Sequence, residues 1–217
     1  MPMRVAAMLL LALCALAPVA GAADDSWSRQ QALAALGKSD AAARRAAVAR
    51  LGAVGRMSDV PALIRALRDR DVATRESAES AIWAVWGRSG NDATDALYML
   101  GVEQMNLGLA EDAIATFTRI IEQRPQFAEG WNKRATLYYH IGDYAKSLRD
   151  CHQVLKRNPL HFGVLAGYGL IYVELDQPER ALGYFRRALR INPNMQGVAR
   201  NIELLQKLID ERRKRHV

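Results

Sequence analysis

Residues 128–161 read AEGWNKRATLYYHIGDYAKSLRDCHQVLKRNPLH. The proline of this stretch, Pro159, stands 34 residues after Pro125 and 34 residues before Pro193. A fixed interval of this length, with helical patterning between the prolines, indicates a stack of helix pairs. We therefore divide residues 94–195 into three units of equal length, which are 94–127, 128–161 and 162–195.

The three units share residue types at fixed places. Small residues occupy the eighth and twentieth places, and the twenty-fourth place holds a larger residue in two of the units: Gly101, Ala135 and Gly169; Ala113, Ser147 and Ala181; Phe117, Cys151 and Phe185. Small residues let the two helices of a unit approach closely, and the larger residue fills the space beside that contact. Each proline then ends the second helix of its unit, since proline lacks an N–H group and disfavours helix before it.

The repeated stretch resembles the tetratricopeptide repeat family over three consecutive units, about half of the chain. The family's W/L, G/A and Y places are held by Trp131, Ala135 and Tyr138 in the second unit and by Leu165, Gly169 and Tyr172 in the third. Two places depart from the pattern, because Gln104 replaces an aromatic residue and Cys151 replaces Phe. The resemblance implies an all-α fold, a right-handed α-solenoid of helix-turn-helix repeats.

A second, shorter repeat precedes the boundary cluster at residues 89–92. Five residues recur after 31 positions: Leu36, Asp40, Arg44, Ala47 and Leu51 return as Leu67, Asp71, Arg75, Ala78 and Ile82. The stretch 59–88 resembles the HEAT-like repeats of phycobilin-lyase-type proteins. We therefore expect two HEAT-like units in residues 23–92, with Asp40 and Asp71 as helix N-caps. We expect these units to pack on the first tetratricopeptide helix, so that the two repeat arrays form one continuous curved rod. Whether this segment binds a partner or only caps the array stays open.

The amino terminus has the composition of an export signal. Arg4 precedes an apolar run over residues 5–17, and Pro18 precedes the small-residue sequence Ala20-Gly21-Ala22. We predict a signal peptide over residues 1–22 that is cleaved after Ala22, with an uncleaved membrane anchor as the alternative. Lipidation is disfavoured, since Leu13 rather than a small residue precedes Cys14. For a protein exported by this signal, the resemblance to bacterial members and the excess of arginine over lysine indicate the periplasm of a bacterial cell.

The carboxyl terminus is predicted to be a capping helix over residues 196–215. Val198, Ile202, Leu205 and Ile209 form one apolar stripe, which covers the last hydrophobic face of the solenoid. The basic cluster 212–215 follows, and it accounts for the excess of 18 basic over 14 acidic residues after residue 92 within a net charge of +7. An extended nucleic-acid-binding face is therefore not supported. Membrane contact is expected, if at all, through this basic tail.

The resemblance also implies a binding groove, because the first helices of successive units line the concave face in this family. The residues of this chain that stand at the family's groove places are Tyr98, Met99, Val102 and Met105 in the first unit, Asn132, Lys133, Thr136, Tyr139 and His140 in the second, and Leu170 and Val173 in the third. The clamp by which some members hold a chaperone's carboxylate is absent, since Tyr98, Val102, Lys133, Gly163 and Gly167 stand at its places. An apolar and aromatic groove with a polar middle suits an extended peptide or an amphipathic helix. Gly163 and Gly167 indicate either close approach of a ligand or close packing against a neighbouring helix.

The chain shows no residue pattern for catalysis, for a metal or for a cofactor. His140, His152, His161 and His216 have no metal-ligand spacing. We interpret His152 and His161 as surface or turn residues, and Cys151, the single cysteine after residue 22, as a core residue. Acidic pairs such as Glu111-Asp112, and Asp69 with Asp71, are interpreted as helix-start residues.

These observations predict a non-catalytic adaptor or scaffold of the bacterial cell envelope that docks a segment of a protein or peptide partner in the concave groove. Two alternatives stay open: an accessory or regulatory subunit of an envelope enzyme, and a self-assembling structural module. The oligomeric state is not predicted.

Overall fold

The computed structural model describes residues 26–215, and within that range the chain is helical throughout with no strand. The predicted signal peptide and His216 lie outside the described residues. The helices are α1 (Arg29–Ala35), α2 (Ala41–Val54), α3 (Val60–Ala66), α4 (Val72–Trp86), α5 (Asp92–Asn106), α6 (Ala110–Gln123), α7 (Ala128–His140), α8 (Tyr144–Arg157), α9 (Phe162–Glu174), α10 (Pro178–Ile191) and α11 (Gln196–Arg215), with a 3-10 turn at Met57–Asp59. The fold is an α-solenoid.

The two predicted aspartate N-caps are confirmed. Asp40 accepts from the backbone N–H groups of Ala42 and Ala43 at 3.2 and 2.9 Å, at the start of α2. Asp71 accepts from the backbone N–H of Thr74 at 2.9 Å, at the start of α4. These bonds satisfy donors that have no partner inside the helix, so each cap fixes where its helix begins.

Helix packing within the repeat units explains the small residues at the eighth place. A Cβ built on Gly101 would lie 2.7 Å from Cζ of Phe117, and one on Gly169 would lie 2.3 Å from Cε1 of Phe185. In the second unit Ala135 takes the eighth place, and the smaller Cys151 faces the same buried cluster. The departure at Cys151 is thus compensated within its own unit, because a smaller partner leaves room for a methyl group.

Cys151 is buried in the core, as predicted from its place in the repeat. Burial raises the pKa of its thiol to about 12, although a hydrogen bond with Ser147 acts in the opposite direction. A thiol that stays protonated at neutral pH is unreactive, since the thiolate is the nucleophile. Cys151 therefore acts as a small hydrophobic residue.

The amino-terminal block, residues 26–88 with helices α1–α4, docks differently from the expectation of a continuous rod. Instead of stacking on α5, it packs against the turns that precede α9 and α11. Phe162, the first residue of α9, is fully buried within the hydrophobic cluster of this block, and Ile191 and Met195 pack against the same cluster. The expected docking on the first tetratricopeptide helix is therefore wrong: the block folds back onto the third unit, because its large aromatic residues find their apolar partners there.

Hydrogen bonds reinforce this docking at a second point. Asn194 Nδ2 donates to the carbonyl of Leu67 at 2.8 Å, and Arg68 Nη1 donates to the carbonyl of Ile191 at 3.1 Å. Both contacts join residues more than 120 positions apart, at the end of α3 and the end of α10. The HEAT-like nature of the two helix pairs in this block stays a prediction.

Asp69 does not have the helix-start role expected for it. Its carboxylate accepts two hydrogen bonds from Arg44, from Nε and Nη2, each at 2.7 Å. Asp69 also accepts from the backbone N–H of Asp71 at 2.8 Å. The two aspartates therefore have different roles: Asp71 caps α4, and Asp69 ties α2 to the turn that follows α3.

We expect this contact to make the amino-terminal block sensitive to acid. The hydrogen bonds from Arg44 lower the pKa of Asp69 below its usual range, against the opposing effect of partial burial. A carboxyl group with a lowered folded-state pKa stabilises the fold above about pH 4, and that stability is lost as the pH falls through the folded-state pKa. The melting temperature of wild type should therefore exceed that of Asp69→Asn at neutral pH, and the difference should shrink under acid.

The control for this measurement is Glu203→Gln, because Glu203 is exposed in the middle of α11. Its melting temperature should follow that of wild type at every pH. A gap between wild type and Asp69→Asn that stays constant down to the lowest pH would contradict the assigned ion pair.

The carboxyl-terminal helix α11 covers the last repeat unit. Val198, Leu205 and Ile209 of its apolar stripe are buried, whereas Ile202 is half-buried. Arg212 from the basic cluster donates to Asp176 at 2.6 Å, which ties the end of α11 to the turn between α9 and α10. Across residues 26–215, none of the helices combines the length and the apolar character that a membrane span requires.

Candidate functional site

The first helices of the three repeat units, α5, α7 and α9, lie side by side, with contacts between α5 and α7 and between α7 and α9. The groove residues named above all lie on these three helices: Tyr98, Met99, Val102 and Met105 on α5, Asn132, Lys133, Thr136, Tyr139 and His140 on α7, and Leu170 and Val173 on α9. We call this set of residues the concave face, the surface on which the repeats are expected to bind a partner.

The apolar part of the concave face is exposed at both ends. Met99 is 56% exposed and Val173 is 38% exposed. Val102 and Met105 are half-buried, since they pack against the cluster around Phe117. Met99 and Val173 are therefore available for contact with a ligand that has apolar groups of its own.

The middle of the concave face is polar. Lys133 Nζ lies 6.0 Å from the centre of the Tyr98 ring, so a cation–π contact connects α7 and α5. Asn132 Nδ2 donates to Glu129 Oε2 at 2.8 Å, and the Thr136 hydroxyl donates to the Asn132 carbonyl at 3.0 Å. Asn132 is thus partly engaged inside the protein, and Lys133 remains the main polar group that a ligand can meet.

Tyr139 lies where the second and third units meet. Its ring centre is 5.9 Å from that of Tyr144, whose hydroxyl is 3.5 Å from Glu174 Oε2. Partial burial, together with the nearby Glu174 carboxylate, raises the pKa of Tyr139 to about 12. The hydroxyl of Tyr139 is therefore neutral at physiological pH and is able to donate a hydrogen bond to a ligand carbonyl.

A buried polar pair at one edge of the concave face escaped the sequence analysis. Glu129 is 1% exposed and His161 is fully buried, and Glu129 Oε1 lies 2.7 Å from His161 Nε2. His161 therefore lies in a turn, as one of the two interpretations has it, but it is buried and not at the surface. His152, in contrast, is exposed on α8.

The two ring nitrogens of His161 have separate roles. Nδ1 accepts from the backbone N–H of Val164 at 3.1 Å, which caps α9, so Nε2 carries the hydrogen and donates to Glu129. Burial alone would raise the pKa of Glu129, but His161, Lys133 and Asn132 together hold it below its usual range. A charged Glu129 therefore joins α7 to the start of α9.

Two aromatic residues of α4 complete this junction. The Trp86 ring stacks on His161 with ring centres 4.2 Å apart, and Trp83 lies edge-on to His161 at 5.4 Å. A Cβ on Gly163 would lie 2.6 Å from Cη2 of Trp83. Of the two explanations given for Gly163, the structure therefore supports close packing. The neighbouring helix is α4 of the amino-terminal block. Gly167 is open, with no atom within 4 Å of the place that a Cβ would occupy.

A cleft of about 530 Å³ lies beside this junction, between the amino-terminal block and the turn that links the first two units. Residues of both parts line it: Met57, Trp86, Arg88 and Ser89 from one side, and Gln123, Arg124, Pro125, Gln126, Phe127, Ala128, Glu129, Arg157 and Asn158 from the other. No group of three or more His, Cys, Asp or Glu side chains among residues 26–215 is arranged to hold a metal ion.

Comparisons with known proteins agree on the nature of the repeats. The model of the tetratricopeptide repeat family matches residues 98–151 and 141–195. A TPR repeat-containing protein of Rhizobium etli is 30% identical over 126 residues, which is 58% of this chain and 62% of that protein. Hsp70-Hsp90 organizing protein 1 of Glycine max is 24% identical over 100 residues, 44% of this chain and 18% of that protein. The matches thus span less than two thirds of either relative.

Solved structures show the same fold at low sequence identity. The Sgt2 TPR domain from Aspergillus fumigatus has a TM-score of 0.54 at 18% identity, covering 57% of this chain and 83% of that one. The first TPR of Spaghetti (RPAP3), solved with the HSP90 peptide SRMEEVD, has a TM-score of 0.52 at 19% identity over 54% and 93%. MamA has a TM-score of 0.51 at 19% identity over 64% and 85%. Residues 98–195 of this chain are therefore tetratricopeptide repeats.

Proposed function

We propose that the protein is a non-catalytic adaptor that docks a segment of a partner protein on its concave face. Tetratricopeptide repeats generally mediate protein–protein interactions, and they typically do so without catalysis. The observation that supports the proposal most is the exposure of Met99 on α5 and Val173 on α9, although the amino-terminal block is docked on the same array. The chain thus closes the edge of its repeats with its own residues and leaves Met99 and Val173 exposed.

The composition of the concave face defines the segment that fits. Apolar side chains of the segment contact Met99, Val102 and Leu170, and its backbone carbonyls or an acidic group meet Lys133 and the Tyr139 hydroxyl. The Spaghetti domain holds a peptide that ends in EEVD, but here Tyr98 and Val102 stand at clamp places. We therefore expect apolar anchors rather than a terminal carboxylate to determine the affinity.

Photo-crosslinking tests this proposal without disturbing the core. A photoreactive phenylalanine analogue is placed at Met99 or Val173 on the concave face, or at Ala115 or Arg186 as matched exposed positions on the second helices. In cells that produce the protein, we expect an adduct with a partner from Met99 and Val173 only.

Other outcomes of this experiment point elsewhere. Equal adducts from Ala115 and Arg186 would contradict concave-face binding. An adduct of the protein with itself would favour the self-assembling module, and an adduct with an enzyme whose activity changes would favour the accessory subunit.

We further propose that the protein is exported to the periplasm and works in the bacterial cell envelope. The support lies in the apolar run at residues 5–17 and the small residues before Ala23. The expected mass of the protein purified from its own cells is that of a chain beginning at Ala23, recovered in the periplasmic fraction. A chain that retains residues 1–22 in the membrane fraction would instead favour the anchor.

A further inference from the structure

The cleft between the amino-terminal block and the first two repeat units is a second candidate binding site, separate from the concave face. It lies at an interface between two parts of the fold, where ligand sites often form, and its volume of about 530 Å³ falls within the range of such sites. Met57 and Phe127 give it apolar walls, and three arginines give it its charge.

The three arginines are not neutralised by acidic residues of the cleft. Arg88 donates to the carbonyls of Gly52 and Gly55 at 2.6 and 2.9 Å, at the end of α2. Arg157 donates to the Gln153 carbonyl at 2.7 Å and to the carbonyl of Pro125. No ion pair joins Arg88, Arg124 or Arg157 to a carboxylate among residues 26–215.

Glu129 is the one acidic residue in the lining of the cleft. Its two carboxylate oxygens are already bound, one to His161 and one to Asn132. The lining thus carries three guanidinium groups against one engaged carboxylate, so its net charge is positive and its open hydrogen-bonding capacity is mainly that of donors.

An unpartnered donor gives an independent indication. Nε1 of Trp86 is buried without a hydrogen-bond partner within residues 26–215, and Trp86 lines the cleft. Nδ2 of Asn158 is in the same condition. Nδ2 of Asn192 also lacks a hydrogen-bond partner. Asn192 stands at the same place of the next unit and does not line the cleft, so an unpartnered asparagine amide at this place is a feature of the repeat. The indole N–H of Trp86 does not belong to that repeat pattern, and a buried donor without a partner is unfavourable unless an acceptor reaches it.

We propose that this cleft binds an acidic peptide segment whose carboxylates pair with Arg88, Arg124 and Arg157 and whose apolar side chains contact Met57 and Phe127. Guanidinium groups match carboxylates in geometry and charge. A peptide, which presents both kinds of group, fits the mixed lining better than a small dicarboxylate does. The ligand bridges the amino-terminal block and the repeats, so its binding holds the two parts together.

The test uses fluorescence polarisation of a fluorescein-labelled pentapeptide of alternating glutamate and leucine, with the glutamine version as its neutral counterpart. We expect the acidic peptide alone to bind, more weakly as salt is raised. Arg124→Gln should weaken binding by about tenfold, as expected for loss of one charged hydrogen-bonding partner. Arg124 is exposed, so this change leaves the fold intact, which circular dichroism checks. Arg119→Gln, an equally exposed arginine of α6, is the matched control and should bind as wild type does.

In the polarisation assay, three results would overturn the proposal: no binding of the acidic peptide, equal binding by wild type and Arg124→Gln, or displacement of the peptide by free glutarate at equal affinity. The last result would assign the cleft to small dicarboxylates. The methyl resonances of the methionines separate this site from the concave face. Binding in the cleft shifts Met57, whereas a shift of Met99 without Met57 would place the peptide on the concave face and refute the cleft.

Discussion

Replacing Gly169 by alanine is expected to destabilise the protein by about 2 kcal/mol, a cost typical of overpacking in a core. The added Cβ would lie 2.3 Å from Cε1 and 2.4 Å from Cδ1 of Phe185. Phe185 is fully buried, so its ring has no free volume into which it can move. The destabilisation is measured as the change in the free energy of unfolding by urea.

Gly167 provides the matched control, since it lies two residues earlier on the same helix. No atom lies within 4 Å of the place for a Cβ at Gly167. Gly167→Ala should therefore stabilise the protein, by up to about 1 kcal/mol, through helix propensity alone. Equal effects of the two changes would show that the glycine of the eighth place does not serve the contact with the phenylalanine of the twenty-fourth.

Replacing Phe162 by alanine is expected to release the amino-terminal block from the repeats. Phe162 is fully buried, with its ring centre 5.0 Å from that of Trp86 and 5.5 Å from that of Trp83. Truncation of a buried phenylalanine costs about 3–5 kcal/mol, and here most of that cost falls on the docking of the block. Hydrogen exchange of amides in α4 should become faster, while α6 and α8 retain their protection.

Leu160→Ala is the control, because Leu160 lies in the same turn but is exposed. Its exchange should equal that of wild type. Unchanged exchange of α4 in Phe162→Ala would contradict the docking, whereas uniform loss of protection in every helix would show that the block and the repeats unfold as one unit.

The repeats were predictable from the sequence because their period is local. Pro125, Pro159 and Pro193 mark the ends of second helices, and the small residues mark the contacts within each unit. Such contacts join residues about 16 positions apart, as Arg134 and Asp150 do at 2.7 Å. A pattern of this kind repeats in the sequence as often as the contact repeats in the fold.

The docking of the amino-terminal block was not predictable, because it depends on contacts that occur once. Trp83 and Trp86 meet His161 and Phe162 across 75 or more residues, and no repeat of the pattern indicates the pairing. The glycine at Gly163 was visible in the sequence, but its meaning required the position of Trp83. Single long-range contacts between side chains leave no periodic signal.

The candidate groove was also predictable only in part, because its helices follow from the repeat period and its single long-range contacts do not. The period placed its residues on α5, α7 and α9, where the structure has them. The engagement of Asn132 by Glu129, and of Glu129 by His161, depends on a pair 32 residues apart that only the second unit contains. The cleft with its three arginines also escaped the sequence, since the residues that line it come from both parts of the chain.

The methionine methyl spectrum tests the central claim, that a partner segment docks on the concave face. Met99 and Met105 lie on that face, Met57 lines the cleft, and Met195 packs between the amino-terminal block and the repeats. With the segment captured by photo-crosslinking, we expect the resonances of Met99 and Met105 to shift and that of Met195 to stay in place. Shifts confined to Met57 and Met195, with Met99 and Met105 unchanged, would contradict the claim.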